Sequence, residues 1–213
     1  MRNYIRKQRL QYHAILYWCL GESTYGFGDF GTPGFTNAYC DSMTTLSSVS
    51  VGDLVVSEVF SSPTTVYDYK GEWFEIHNLK NERLNINGLK ITSIDGGDFS
   101  ITEDVVIDAE GYAVIGSRRS PLDNGGVENV VAAYSIANFR INSTDSIQIR
   151  LSDDTLLDEV IFDDPKVFPI LKGSSMELGS LDPDKNDSGL QWCLATDSFG
   201  LGDFGTPGEP NTS

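Results

Sequence analysis

Residues 72–78 read Glu72-Trp73-Phe74-Glu75-Ile76-His77-Asn78. Alternate residues of an extended strand point to opposite faces, so this run sets Phe74 and Ile76 on one side and Trp73, Glu75 and His77 on the other. The first pair reads as core; the second face reads as solvated, or as an aromatic patch around Trp73. Working outward, similar short runs recur: LVVSEVF (54–60), LKITSI (89–94), DFSIT (98–102), YAVIG (112–116), DSIQIRL (145–151), LLDEVIF (156–162) and SSMEL (174–178). In DSIQIRL, Ile147, Ile149 and Leu151 share the inward face while Gln148 and Arg150 look out. Short β-branched and aromatic runs, punctuated by Gly, Asn, Asp and Pro and lacking helical periodicity, predict an all-β antiparallel sandwich or barrel.

Composition narrows the function classes. With 31 acidic against 15 basic residues the net charge is −16, so a phosphate backbone or an anionic lipid surface is repelled rather than gathered. Nucleic acid and membrane insertion are therefore not expected. Such acidity suits an extracellular or calcium-containing setting, where cations screen or bridge carboxylates. The longest apolar stretch near the start, Ala14 to Leu20, is too short for a membrane helix and short for a signal core, although the basic run Met1 to Arg9 imitates a signal's leading segment.

A self-comparison finds a repeat. Residues 18–37, WCLGESTYGFGDFGTPGFTN, align without a gap on residues 192–211, WCLATDSFGLGDFGTPGEPN, 174 positions later. The chain thus carries two C-terminal ends of one module type, with room for a body before only the second. The expected organisation is a leader at 1–17 that matches nothing in the repeat and reads as spurious, with a diverged genuine start as the alternative. A remnant of a preceding module follows at 18–37, then a Ser/Thr-rich linker at 38–52 and an intact module at 53–211. Cys19 and Cys193 are equivalent, and the equivalent of Cys40 falls one position past Ser213. From this we expect a Cys19–Cys40 disulfide that staples each module's tail, with Cys193 left single; three free thiols are the alternative. A real disulfide would place the chain in an oxidising compartment.

In their order along the chain these pieces resemble the lamin tail domain family as it occurs in bacterial surface and secreted proteins. The similarity runs over residues 51–211: the opening LVVSEVF, then EWFEIHN beside the family's Glu-Trp-Ile-Glu-Leu-Tyr-Asn, then LNINGLKIT, YAVIG, DEVIF and GSSMEL. The motif positions carried over are Glu72, Trp73, Glu75, Asn78, Trp192, Gly205, Thr206, Pro207, Gly208 and Asn211. Lys90 stands where an aromatic is common, and His77 where Tyr is common. The resemblance implies an immunoglobulin-like β-sandwich used as an accessory or interaction domain in longer polypeptides. It implies no reaction.

Candidate chemistry is sparse. Gly26 to Gly31 and Gly200 to Gly205 each spell GxGxxG, but neither opens a helix in a βαβ unit and each runs into Thr-Pro-Gly. Asp182, Asp184, Asn186 and Asp187 place oxygen ligands as a calcium loop begins, yet the turn position holds Asp187 and the distal ligand position holds Cys193. Two readings stand for this loop, a run of Asx turns and a calcium site. Glu72, Glu75 and His77 are close enough in sequence for acid–base work, against which a solvated face is weighed. Three N-glycosylation triplets begin at Asn142, Asn186 and Asn211. The expectation is a non-catalytic interaction or spacer module of a secreted or cell-surface repeat protein, without a cofactor unless calcium, and with a protein or glycan partner. An accessory domain of an extracellular hydrolase and a calcium-dependent adhesion module are the alternatives.

Overall fold

The computed structural model describes residues 43–213 and, ahead of them, the backbone of a two-strand ribbon. The chain divides into two units, Met1–Asp41 and Ser42–Ser213. In the first, β1 (Thr24–Tyr25) pairs antiparallel with β2 (Asp29–Phe30), Thr24 opposite Phe30 and Tyr25 opposite Asp29. The expected Cys19–Cys40 disulfide and the leader lie outside the described residues.

The second unit contains β3 (Thr44–Thr45), β4 (Leu54–Phe60), β5 (Trp73–Asn78), β6 (Leu84–Asn85), β7 (Lys90–Ser93) and β8 (Gly97–Ser100). After these come β9 (Val106–Ile107), β10 (Tyr112–Gly116), β11 (Val130–Ala133), β12 (Asp145–Arg150) and β13 (Leu156–Phe162). The last are β14 (Met176–Leu178), β15 (Trp192–Leu194), β16 (Ser198–Phe199) and β17 (Asp203–Phe204). A six-stranded sheet runs β11-β10-β5-β4-β14-β15 and a four-stranded one β13-β12-β7-β8. Their pairings are antiparallel except β10 with β11. Of the sandwich or barrel that the strand runs predict, this is the all-β sandwich, with the immunoglobulin-like architecture that the resemblance implies. Among the described residues no helix is long and apolar enough to cross a membrane.

The core lies between the two sheets. Val56, Val59, Phe74, Ile76 and Met176 from the large sheet meet Ile91, Ile147, Ile149, Val160 and Phe162 from the small one. Phe74 and Ile76 face inward, as do Ile147 and Ile149, while Leu151 is partly buried against the cluster. Within the stretch expected as a linker, Thr44 and Thr45 pair with Leu84 and Asn85 and Val49 is buried in the core.

The large sheet is buried on its other face as well. All seven residues of β4 and all six of β5 are buried, although the polar side chains of β5 suggest a solvated face. A bulge in β4 sets which residues stand on that face: Val56 opposes Ile76 but Glu58 opposes Glu75, so two residues of one strand face one of the next. The extra residue keeps Val59 opposite Phe74 while Glu58 stands beside Glu75.

Candidate functional site

The outer face of the large sheet carries three carboxylates in a row. Glu177 on β14 is paired with Glu58 on β4, and Glu58 with Glu75 on β5; all three are 0% exposed. Unpaired carboxylates cannot be buried cheaply, so the donors that face them define the site. Those donors come from the C-terminal tail and from two serines, Ser57 and Ser175. Glu58 Oε1 accepts from the Thr206 backbone N–H at 2.9 Å and from Ser175 Oγ. Glu75 accepts from the Gly208 N–H at 2.7 Å and from Ser57 Oγ at 2.7 Å. Glu177 accepts from the N–H groups of Thr212 and Ser213 at 3.2 and 3.0 Å. Asn211 closes the clasp, its amide donating to the carbonyls of Ser57 and Leu178 at 2.9 and 3.0 Å.

The Thr206 hydroxyl lies 3.1 Å from Glu58 Oε2 and 3.0 Å from Glu177 Oε1. One hydroxyl proton cannot serve both acceptors at once, so Glu58 and Glu177 compete for this donor. Burial pushes the Glu58 carboxyl up to about 7, with Glu177 adding repulsion against its several donors. Burial, and then Glu58 beside it, pushes Glu75 well above the carboxylate range.

The tail reaches the row as a hairpin, β16 with β17, in which Ser198 opposes Phe204 and Phe199 opposes Asp203. Phe199 stands edge-on to Phe60 and Trp73, with centroids 5.6 and 5.9 Å apart, and caps a second apolar cluster formed with Val114, Val127 and Val130. Asp203 is 1% exposed and accepts from the backbone and hydroxyl groups of Thr64 and Thr65. Gly200 meets the 125–126 loop backbone to backbone; a Cβ there would sit 2.1 Å from the Gly125 carbonyl oxygen. The GxGxxG run is thus the turn of a hairpin.

The remaining motif residues serve structure at separate places. Tyr134 donates to Glu72 Oε1 at 3.1 Å, and burial raises the Glu72 carboxyl to about 7. Asn78 donates to the carbonyls of Glu82 and Asp108, tying two loops together. Trp192 Nε1 donates to the Asn186 carbonyl at 2.8 Å. His77 packs on Tyr112 with centroids 4.4 Å apart, and burial lowers its imidazole. Glu72, Glu75 and His77 therefore have separate partners.

The Asp182 loop is arranged around an inward-turned Asn186, which is fully buried and whose amide nitrogen donates to Asp158 at 2.9 and 2.7 Å. Lys185 pairs with Asp182 at 2.8 Å, and Asp182 also accepts from the Asp184 N–H. Among the described residues no group of three or more His, Cys, Asp or Glu side chains is placed to hold a metal. The amide nitrogens of all three glycosylation triplets are structural donors: Asn142 to Asp145, Asn186 to Asp158, Asn211 to Ser57 and Leu178. A polar cavity of about 600 Å³, lined in part by Asp95, Asn138 and Arg140, shares no residue with the carboxylate row. Cys193 is exposed and unpaired.

Sequence reasoning missed Glu58, Glu177 and Asp203. The available signal was a single acid within each otherwise apolar strand run, as in SEVF and MEL. The model of the Lamin Tail Domain matches residues 47–163, more than half of the chain. Glu58, Glu72, Trp73, Glu75 and Asn78 fall inside that match; Glu177, Trp192 and the tail fall beyond it. No curated protein matches the chain.

Proposed function

The chain belongs to the lamin tail domain family, and from that premise we propose that it is a non-catalytic interaction and spacer module of a secreted or cell-surface protein built from tandem copies. The observation that carries this reading is the repeated tail. The segment that closes the large sheet at 192–211 recurs at 18–37, and its ribbon has the same register, Thr24 with Phe30 as Ser198 with Phe204. Two ends of one module type in one chain fit an array in which each sandwich holds its neighbours apart.

A non-catalytic role is supported by the use of the buried acids. Glu58, Glu75 and Glu177 are spent on clasping the tail, and Glu72 on Tyr134. The net charge of −16 favours a setting where cations screen it and a protein or glycan partner over nucleic acid. The test is to sequence the transcript on both sides of the coding region. Further copies spaced about one module apart support the array. A hydrolase domain in their place would make this an accessory domain, and isolation from any module would overturn the reading.

A further inference from the structure

We infer that the segment Thr24–Asn37 of one molecule is a docking ligand for the carboxylate cradle of a second copy, where it replaces that copy's own C-terminal tail. The inference goes beyond the array reading, because it concerns exchange between molecules rather than the order of modules in one.

The argument rests on which tail positions are the same in the two copies. The groups that the cradle reads are Asp203 on Thr64 and Thr65, Gly205 against Glu58 and Ser175, Thr206 on Glu58 and Glu177, Gly208 on Glu75, and Asn211 on Ser57 and Leu178. Their counterparts are Asp29, Gly31, Thr32, Gly34 and Asn37, identical at every one of these positions. Gly200, which the 125–126 loop admits only without a side chain, is matched by Gly26. Phe199, wedged on Phe60 and Trp73, is matched by Tyr25. Apart from Phe199, the copies differ where the docked tail faces solvent: Ser198 against Thr24, Leu201 against Phe27, Glu209 against Phe35 and Pro210 against Thr36, all four exposed in the docked tail. To Glu177, Thr212 and Ser213 offer backbone N–H groups, which Ala38 and Tyr39 also possess.

Each molecule therefore carries one cradle and two sequences that fit it. The resident tail has the advantage of attachment, equivalent to roughly millimolar ligand for a short tether, so exchange requires that tail to be weakened or displaced. A segment given to one neighbour and a cradle filled by another make a head-to-tail contact, which builds a ring where the rotation closes and an open chain where it does not.

The experiment uses the full chain with Asp203→Ala and Thr206→Ala, which weaken the resident tail. It also uses a synthetic peptide of residues 22–37 carrying a fluorophore. Sedimentation velocity is expected to show association of the variant that rises with concentration, and the peptide is expected to bind it and disperse the assemblies. A peptide with Asp29→Ala and Thr32→Ala should bind at least tenfold more weakly, while Phe35→Glu, at a solvent-facing position, should bind as well as the parent. If the variant does not fold alone, refolding it with excess peptide should restore its near-ultraviolet circular dichroism. A folded variant that stays monomeric and binds no peptide overturns the inference. So does equal loss of binding with Phe35→Glu, or an unfolded variant that the peptide does not rescue. None of these outcomes bears on whether further modules flank the chain.

Discussion

Glu58 accepts the Thr206 backbone N–H at 2.9 Å, a hydrogen bond that joins positions 148 residues apart. It sits at the centre of the clasp, between Glu75 on one side and Glu177 on the other. The neighbouring strands bring more negative charge, Ser57 and Ser175 bring two hydroxyls, and the tail supplies the backbone N–H donors.

Stability should therefore fall as the solution becomes alkaline. Glu58, Glu72 and Asp158 are each raised to about 7, chiefly by burial, and Glu75 is raised as well. The folded chain binds these protons more tightly than the unfolded one. Their contribution is complete below the ordinary carboxyl range and is lost as pH climbs through about 7. The exposed Asp104, Asp153, Asp154 and Asp182 are held low by hydrogen-bond donors and act in the opposite sense only at more acid pH. We expect the melting temperature at pH 5 to exceed that at pH 8 by ~5 °C or more, and Glu58→Gln to flatten the dependence. A melting temperature that rises over this interval would contradict the assignment.

Asp203→Ala should release the tail. The substitution leaves the N–H groups of Thr64 and Thr65 without their buried acceptor, at a cost of about 2–3 kcal/mol. Urea unfolding gives the magnitude. Limited proteolysis of the folded variant should cut within residues 195–213 well before the wild type is cut there, and unchanged protection would argue against a tail held by Asp203.

Gly200→Ala tests the backbone contact between hairpin and loop. Gly200 has φ +49°, and its Cβ would meet Gly125 and Gly126 at 2.1–2.9 Å. Neither neighbour has a side chain to move aside, so we expect a loss of ~2 kcal/mol or more and increased solvent exposure of Trp73, seen as a red shift in its fluorescence. An unshifted spectrum with full stability would mean the hairpin does not dock against that loop.

Calcium should leave the fold where it is. Lys185 already neutralises Asp182, and Asn186 is turned into the interior to serve Asp158. Millimolar calcium is expected to change the melting temperature by less than ~1 °C, since a ligand that binds only the folded state must raise it. A clear upward shift, reversed by a chelator, would favour the adhesion-module reading.

The sandwich was legible in the sequence because a strand that is wet on one side and dry on the other has a period of two, which Phe74, Ile76, Ile147 and Ile149 display. The burial of Trp73, Glu75 and His77 was not legible from the same strand, because a polar side chain alternates identically whether it meets water or a distant segment. The partner of Glu75 is the N–H of Gly208, a backbone group common to nearly every residue and so without a signature of its own. The repeat did single out the tail's half of the site, Gly205, Thr206, Gly208 and Asn211. Glu58 and Glu177 on the sheet's half stayed hidden among apolar neighbours, where one acid per strand passes for an outward-facing position.

The separation between Glu58 and Thr206 also dictates an order of events during synthesis. Translation delivers β4 and β5 first and the tail last, and contacts between remote positions form slowly. While the polypeptide is still being made, three neighbouring carboxyl groups and the rings of Phe60 and Trp73 face open solvent. A nascent chain interrupted short of Asp203 would keep that surface exposed, a ready target for chaperones and proteases. Completion of the module is thus registered by the module's own closing segment.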